Sequence, residues 1–342
     1  MPQIINCFLG KSRGGIEVVA RDYAESCAKL GYESEILTLK NRNYTSYLID
    51  SKLKCRFICS RGLNPMSILH FVWHLKRAKA EIVFLHGTKA IEFGTHFMTR
   101  LLCPSIRFIG VSHGVVSNKY KKLKYALGIA VFLKQKLTDL GIPKTFSCPN
   151  TTKVYDIPTS IPDTNQVPVI SSMGRDSLIK GWDILFDALY ILKQNNIPFK
   201  CRVSIKKDNY SEQIDRLNLN DEIDFLGWVS DKTDFFAQTD IYCQPSRSEG
   251  MPLTLLEAMM HGKPVAVSNC FGSVEIVQNS GAGLISKIED AKQLAEHLTY
   301  LILHPDERRK MAQNARQHIL AHFNNNDLPN RLKNIIESVY TH

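Results

Sequence analysis

The run Pro245-Ser-Arg-Ser-Glu249-Gly250-Met251-Pro252-Leu253-Thr254-Leu255-Leu256-Glu257-Ala258 joins an apolar strand, Ile241–Gln244, to a helix starting near Pro252. Proline suits a first helical turn, and Gly262 suits the position just past the helix end. The leading backbone N–H groups of such a helix, near Met251–Leu255, lack carbonyl partners and attract anionic oxygens. Gly250 has no side chain to block close approach. Glu249 and Glu257 each offer two acceptor oxygens, a match for paired hydroxyls. A blander reading leaves Glu249 as a helix-dipole residue and Glu257 as a surface carboxylate; the surrounding pattern favours the chemical one.

A second run, Ser172-Met173-Gly174-Arg175-Asp176-Ser177-Leu178-Ile179-Lys180-Gly181-Trp182-Asp183, follows the strand Val169–Ser172. Arg175 and Lys180 supply a guanidinium fork and an ammonium point charge, both suited to phosphate. Placed together they would stabilise the charge that builds on a departing diphosphate. Two solvated loop cations fit the same residues equally well.

Near the start, Leu9-Gly10-Lys11-Ser12-Arg13-Gly14-Gly15-Ile16-Glu17 joins the first strand to the first helix. Gly10-Lys11-Ser12 is not a triphosphate loop, because Ile5 stands where its leading glycine belongs. The spacing of Gly10, Gly14 and Gly15 does not fit a dinucleotide fingerprint either. What remains is a turn that places Gly14 and Gly15 at a helix N-terminus, able to approach a diphosphate. His86 and His113 each end an apolar strand and precede a glycine; each is a structural histidine or, for His113, a contact to a bound sugar. His70, His74 and His261 show no metal-ligand spacing, and no Asp-x-Asp triplet exists, so no metal is expected.

The elements that must hold these loops are legible from periodicity. Ile4–Leu9, Ser34–Leu39, Arg56–Cys59, Glu81–Leu85 and Arg107–Val111 read as buried strands, with helical spacing in Ile16–Leu30, Pro65–Ala80 and Lys89–Leu101. Val154–Pro168 holds three prolines and reads as a linker. Beyond it come strands Val169–Ser172, Phe199–Ile205, Ile223–Leu226, Ile241–Gln244 and Val265–Ser268, with helices Gly181–Gln194 and Leu253–Met260 between them. From Pro305 onward the chain looks helical, with a break near Asn324–Asn326. Strand–helix alternation of this kind implies parallel sheets covered on both faces, an α/β class with two domains and a cleft between them. Ligands of such sheets bind outside the strands' carboxyl ends, where the loops above begin.

The chain has 342 residues, more than one core usually holds, and 44% hydrophobic residues. Its net charge of +10 is unevenly spread: residues 1–150 carry 23 Lys and Arg against 9 Asp and Glu, while residues 151–342 carry 20 against 24. A basic first half points to an anionic partner there. The runs Lys119–Tyr125 and Leu75–Lys79, beside the apolar Ile68–Trp73, read as a surface resting on an anionic membrane or as solvated helix faces. No nucleic-acid module is recognisable. Nine scattered cysteines read as reduced structural thiols. No apolar stretch is long enough to span a bilayer and Met1–Gly10 reads as a strand, so a cytoplasmic protein, peripheral on the inner membrane face, is expected.

Taken together, these segments resemble the retaining nucleotide-sugar glycosyltransferases of the GT-B fold, in the large Glu-x7-Glu family (group 1, family 4). The likeness covers essentially the whole chain and is most specific in Gly174–Leu189 and Phe225–Ile285; Phe225-Leu-Gly-Trp-Val229, Asp240-Ile241 and Gly272–Val277 also fit. Phe132 stands where the family usually has serine, and Thr151 where it usually has glycine. The resemblance implies two Rossmann-like domains: residues 1–155 for the acceptor, 156–322 for the donor, and a helix over 323–342 crossing back to the first. It implies that Glu257 binds the ribose while Glu249 and the backbone of Gly250, Met251, Pro252 and Leu253 hold the donor sugar. Arg175 and Lys180 would take the diphosphate, Gly14 and Gly15 would approach it, and His113 would contact the sugar, with His113, Glu249, Arg175 and Lys180 as the catalytic set. It further implies a UDP-sugar donor, no metal and no other cofactor, front-face displacement, and a lipid-linked or cell-envelope glycan acceptor. A nucleotide-sugar epimerase or hydrolase, or an inactive scaffold of the same fold binding membrane or a partner, are the alternatives.

Overall fold

All six residues of the strand Gln3–Phe8 are buried, and its two neighbours are parallel to it, as a strand without an exposed face requires. In the computed structural model, which describes residues 2–10, 14–40, 53–59, 62–155 and 167–341, this strand is an interior strand, third in order, of a seven-stranded sheet. Its strands are β1 (Gln3–Phe8), β2 (Glu33–Leu39), β3 (Lys54–Ile58), β4 (Ile82–His86), β5 (Arg107–Ser112), β6 (Tyr125–Gly128) and β7 (Lys144–Ser147). They lie in the order β3-β2-β1-β4-β5-β6-β7, all parallel. A second all-parallel sheet has β8 (Val169–Ser172), β9 (Lys200–Val203), β10 (Ile223–Phe225), β11 (Ile241–Gln244), β12 (Val265–Ser268) and β13 (Gly283–Ser286), in the order β10-β9-β8-β11-β12-β13.

The chain divides into two units, Met1–Asn150 with Asn326–His342 and Thr151–Asn325. In the first, Ile5, Cys7, Val83 and Leu85 of the central strands pack against Ile68, Phe71 and Leu75 of the helix Pro65–Ala78. The terminal helix Leu328–Tyr340 packs on the helix Gly15–Lys29 of the same unit, and Lys144 Nζ donates to the Ser338 carbonyl at 2.6 Å. In the second unit, Ile170, Cys201 and Cys243 meet Trp182, Leu185 and Leu189 of the helix Trp182–Gln194. Among cysteines in these cores, burial pushes Cys27 up to about 12 and Cys148 up to about 11, so both remain thiols.

In each sheet, chain order reverses beside the first strand of the unit: between β1 and β4, and between β8 and β11. Successive crossovers leave these points in opposite directions, and a crevice opens outside the carboxyl ends of the two strands. The loops that follow β8 and β11 are the two chemical runs, Gly174–Gly181 and Pro245–Pro252. The loop after β1 carries Gly14 and Gly15, and His86 is the last residue of β4.

Three strands were not legible from periodicity. Only Ile129 and Ala130, both apolar, separate β6 from the helix Val131–Asp139, so its apolar residues merge with the helix's and show no period of two. β7 and β13 are four-residue strands at sheet edges, mostly half-buried, with polar positions. The helix expected over Lys89–Leu101 is two helices, Thr88–Thr95 and Phe97–Leu102. His96 breaks it with an extended backbone (φ −62°, ψ 140°), and its Nδ1 accepts the Met98 N–H at 3.3 Å, capping the second piece. Residues 156–166 of the expected linker, and Lys11, Ser12 and Arg13 of the first loop, lie outside the described residues.

Candidate active site

Gly181 is the hinge on which the second unit's two loops meet. Its φ of +68° is open to glycine, and a Cβ there would stand 2.1 Å from the Pro245 carbonyl oxygen. The β11 loop therefore lies directly on the start of the helix Trp182–Gln194. Arg247 pins the contact. Its N–H donates to the Ile179 carbonyl at 2.8 Å, and its guanidinium donates to the Leu178 carbonyl at 2.6 Å. The same guanidinium forks onto both oxygens of Asp183 at 2.9 and 2.7 Å and reaches Glu289 at 2.6 Å. Arg247 holds the Asp183 carboxyl below its usual range.

This docking brings Lys180 and Glu249 together. Lys180 Nζ lies 2.6 Å from Glu249 Oε1, and both side chains are mostly buried, at 18% and 10% exposure. The same oxygen accepts from Ser246 Oγ at 2.7 Å and from Gln244 Nε2 at 3.4 Å. Gln244 is held in turn by Ser273 at 3.3 Å and by Thr254, whose hydroxyl donates to its carbonyl oxygen at 3.3 Å. The Lys180 stem lies over Gly174, within 3.2 Å of where a Cβ would stand. Both groups are thus fixed charges rather than solvated ends.

Glu257 sits one full turn into the helix Leu253–Met260, half-buried, with both oxygens bonded by Lys232 Nζ at 2.6 and 2.7 Å. Burial raises its carboxyl above the usual value, while the Lys232 charge pulls it back down. Lys232 opens the helix Lys232–Ala237, whose cap Asp231 accepts the Asp234 N–H at 3.0 Å. Pro252 is the cap residue of the Glu257 helix, extended rather than helical, and no side chain caps that end. The first bond back to it is from Leu256 N–H to the Pro252 carbonyl at 3.3 Å. The N–H groups of Leu253, Thr254 and Leu255 precede that bond, so this terminus keeps its partial positive charge.

Arg175 is exposed, and among the described residues its guanidinium has no bonding partner. Only its carbonyl is used, accepting the Trp182 indole N–H at 3.0 Å. The second unit therefore gathers Lys180, Glu249, Arg175 and an uncapped helix end around its β8–β11 reversal.

In the first unit, His113 follows β5 and bonds the end of β4: His86 Nδ1 and His113 Nε2 are 3.1 Å apart, and His86 Nε2 is 3.2 Å from Asn6 Oδ1. With a carbonyl oxygen facing it, His86 Nε2 carries the proton, so its Nδ1 accepts and His113 Nε2 donates. The Nδ1 of His113 is then left as an acceptor. Burial pushes His113 down to about 3, and burial plus the neighbouring ring hold His86 well below its usual value, so both rings are neutral. Gly14 precedes the helix Gly15–Lys29, and its N–H donates to the buried Glu17 carboxylate. Among the described residues no cluster of three metal-binding side chains occurs.

Sequence reasoning missed Arg247, Lys232, Ser246, Gln244 and Asn6. Arg247 and Ser246 stand inside the chemical run, so their position was the available signal. Lys232 and Asn6 carry none, because each meets its partner only through the fold.

Residues 157–318 match the family described as glycosyl transferases group 1. The second unit carries a group 1 glycosyltransferase region, and the chain has the GT-B fold. An uncharacterized glycosyltransferase of Haemophilus influenzae is 23% identical over 89% of this chain and 91% of its own length. The N,N'-diacetylbacillosaminyl-diphospho-undecaprenol alpha-1,3-N-acetylgalactosaminyltransferase of Campylobacter jejuni is 37% identical over a shorter stretch, 30% of this chain and 27% of its own. Among solved structures, that of Anabaena HepE in complex with UDP and glucose shares the fold at a TM-score of 0.86 and 16% identity, over 99% of this chain and 100% of its own. The glycosyltransferase motifs lie in the family-matched part, around the β8–β11 reversal.

Proposed function

We propose that this glycosyltransferase moves a hexosyl group from a UDP-sugar to a lipid-linked or cell-envelope glycan, with retention and without a metal. One observation carries the reading: the mostly buried Lys180–Glu249 pair stands at the strand ends with an uncapped helix terminus and with Arg175, whose guanidinium has no partner among the described residues. Fixed cations and amide dipoles at one point stabilise negative charge without reorganising. The relatives support the substrate classes: the Campylobacter enzyme's name specifies a diphospho-undecaprenol acceptor, and the Anabaena structure holds UDP and glucose.

In this reading Arg175, Lys180 and the N–H groups of Leu253–Leu255 take the diphosphate. Glu249 and the backbone from Gly250 to Leu253 hold the sugar, and Glu257 takes the ribose hydroxyls. Gly14 and Gly15 approach the diphosphate, and the free Nδ1 of His113 accepts a sugar hydroxyl. The bond from the anomeric carbon to the phosphate oxygen breaks as the acceptor oxygen bonds the same face. The acceptor's proton passes to the departing phosphate, and UDP leaves. Cations supplied by the chain do the work a divalent ion would otherwise do.

The test is transfer from a panel of nucleotide sugars to a polyprenyl-diphosphate glycan, with and without chelator, and NMR of the product anomer. Retained configuration and chelator-insensitive transfer are expected. An inverted product, or activity abolished by chelator, would remove those clauses.

A further inference from the structure

The helices Pro65–Ala78 and Phe97–Leu102 pack on each other in the first unit, and each leaves large apolar side chains exposed. On the first, Met66, Leu69 and Trp73 recur at helical spacing, exposed at 76%, 42% and 48%. On the second, Phe97 and Leu101 stand one turn apart, exposed at 71% and 73%. Large apolar groups left in water on a folded chain mark a surface that is covered in use.

The charge around them is of one sign. Lys76, Arg77 and Lys79 follow the apolar stripe on its own helix, and Arg100 lies between Phe97 and Leu101. No Asp or Glu occurs in residues 62–80 or 93–108. Arg77 lies over the Trp73 ring at 5.0 Å, which leaves a cation at the rim of the apolar patch. A second copy seated on this face would set like charges against each other. An anionic partner with an apolar interior complements both features, and a bilayer bearing acidic headgroups has that composition.

We infer that this two-helix face docks the protein on anionic lipid, with Met66, Leu69, Trp73, Phe97 and Leu101 in the headgroup–acyl boundary and Lys76, Arg77, Lys79 and Arg100 on the headgroups. The inference rests on the lipid-linked acceptor reading, and it names the surface that brings the enzyme to such an acceptor. Residue Met66 follows β3, so the docking face begins at the same end of the sheet as His86 and His113.

Flotation of the full chain with phosphatidylcholine vesicles, with and without phosphatidylglycerol, tests it. Binding only to the anionic vesicles, weakened by salt, is expected. The triple variant Met66→Ser, Trp73→Ser, Leu101→Ser should lose binding while its circular dichroism and thermal midpoint are kept. Lys76→Gln with Arg77→Gln should weaken binding about thirtyfold, from ~1 kcal/mol per cation near the surface. Trp73 fluorescence, read in a Trp228→Phe background, should shift blue on anionic vesicles.

Transfer to a water-soluble acceptor should be the same in wild type and both variants. Wild-type transfer without vesicle binding, or binding that neither variant changes, overturns the inference. Concentration-dependent dimers abolished by the triple variant, without vesicle binding, overturn it in favour of a second copy. Vesicle binding without transfer to any acceptor supports the docking face and defeats the functional reading instead.

Discussion

Lys180 Nζ stands 2.6 Å from the Glu249 carboxylate, so two residues assigned to different parts of the donor hold each other before any donor arrives. The pair keeps a cation at the strand ends without leaving it unpaired in a mostly buried place. When a diphosphate enters, Lys180 has a second anion within its reach and shares its charge between them. The finding makes the two side chains one unit, and their variants should not act independently.

Lys180→Ala should lower turnover by roughly 10²–10³-fold, the loss of one charge-stabilising donor. It also leaves Glu249 without its cation, so the thermal midpoint should fall. Adding Glu249→Gln should restore part of that midpoint without restoring turnover. Steady-state kinetics with thermal melts of the singles and the double check this; additive losses would mean that the two groups do not couple.

Removal of Lys232 should make nucleotide binding acid-sensitive. Burial already raises the Glu257 carboxyl, and Lys232 opposes that rise. In Lys232→Ala the carboxyl climbs further, and a protonated Glu257 loses acceptor capacity for hydroxyls. UDP affinity by calorimetry, measured over about pH 5 to 8, should fall at higher pH in the variant than in wild type. Glu257→Ala should bind weakly with little pH dependence.

Stability should fall as the solution is acidified through the ordinary histidine range. His113 sits at about 3, His74 and His261 at about 4, and His86 also lies low, all chiefly through burial. Below about 6.5 the unfolded chain takes up protons that the native chain refuses, so unfolding is favoured as pH drops. The thermal midpoint should therefore decrease from pH 7 towards about 5, and His86→Gln should flatten that decrease. Nitrogen-15 NMR should show His113 protonated at Nε2 in wild type, and its tautomers mixed once His86 is replaced.

Gly181→Ala should be among the most damaging single-methyl changes. The added carbon meets the Pro245 carbonyl, and the residue must hold φ +68°. Strain of about 1–3 kcal/mol and a displaced β11 loop are expected, with turnover lost along with stability. Gly10→Ala, with no atom of the described residues within 4 Å of the new carbon, is the control and should be near neutral.

Much of this molecule was legible because parallel strands buried on both faces are continuous apolar runs. β8, β11 and β12 stand where periodicity put them, and so does the helix Leu253–Met260. β6, β7 and β13 were not legible, since short edge strands and a strand joined to its helix by two apolar residues leave no distinctive period. The loop residues with chemistry were recognisable by type and spacing at strand ends. Their partners were not: Lys232 lies 25 positions from Glu257, and Asn6 lies 80 from His86.

From the sequence alone come the α/β class, the two families of strands, and the side chains able to hold phosphate and hydroxyls, because local period and residue chemistry are properties of neighbours along the chain. Only the tertiary structure decided that Lys180 closes on Glu249, that Arg247 clamps the two loops, and that His86 sets the tautomer of His113. Those pairings depend on which strands lie side by side, and hydrogen bonds of 2.6 to 3.2 Å exist only once the sheets have brought distant segments into register.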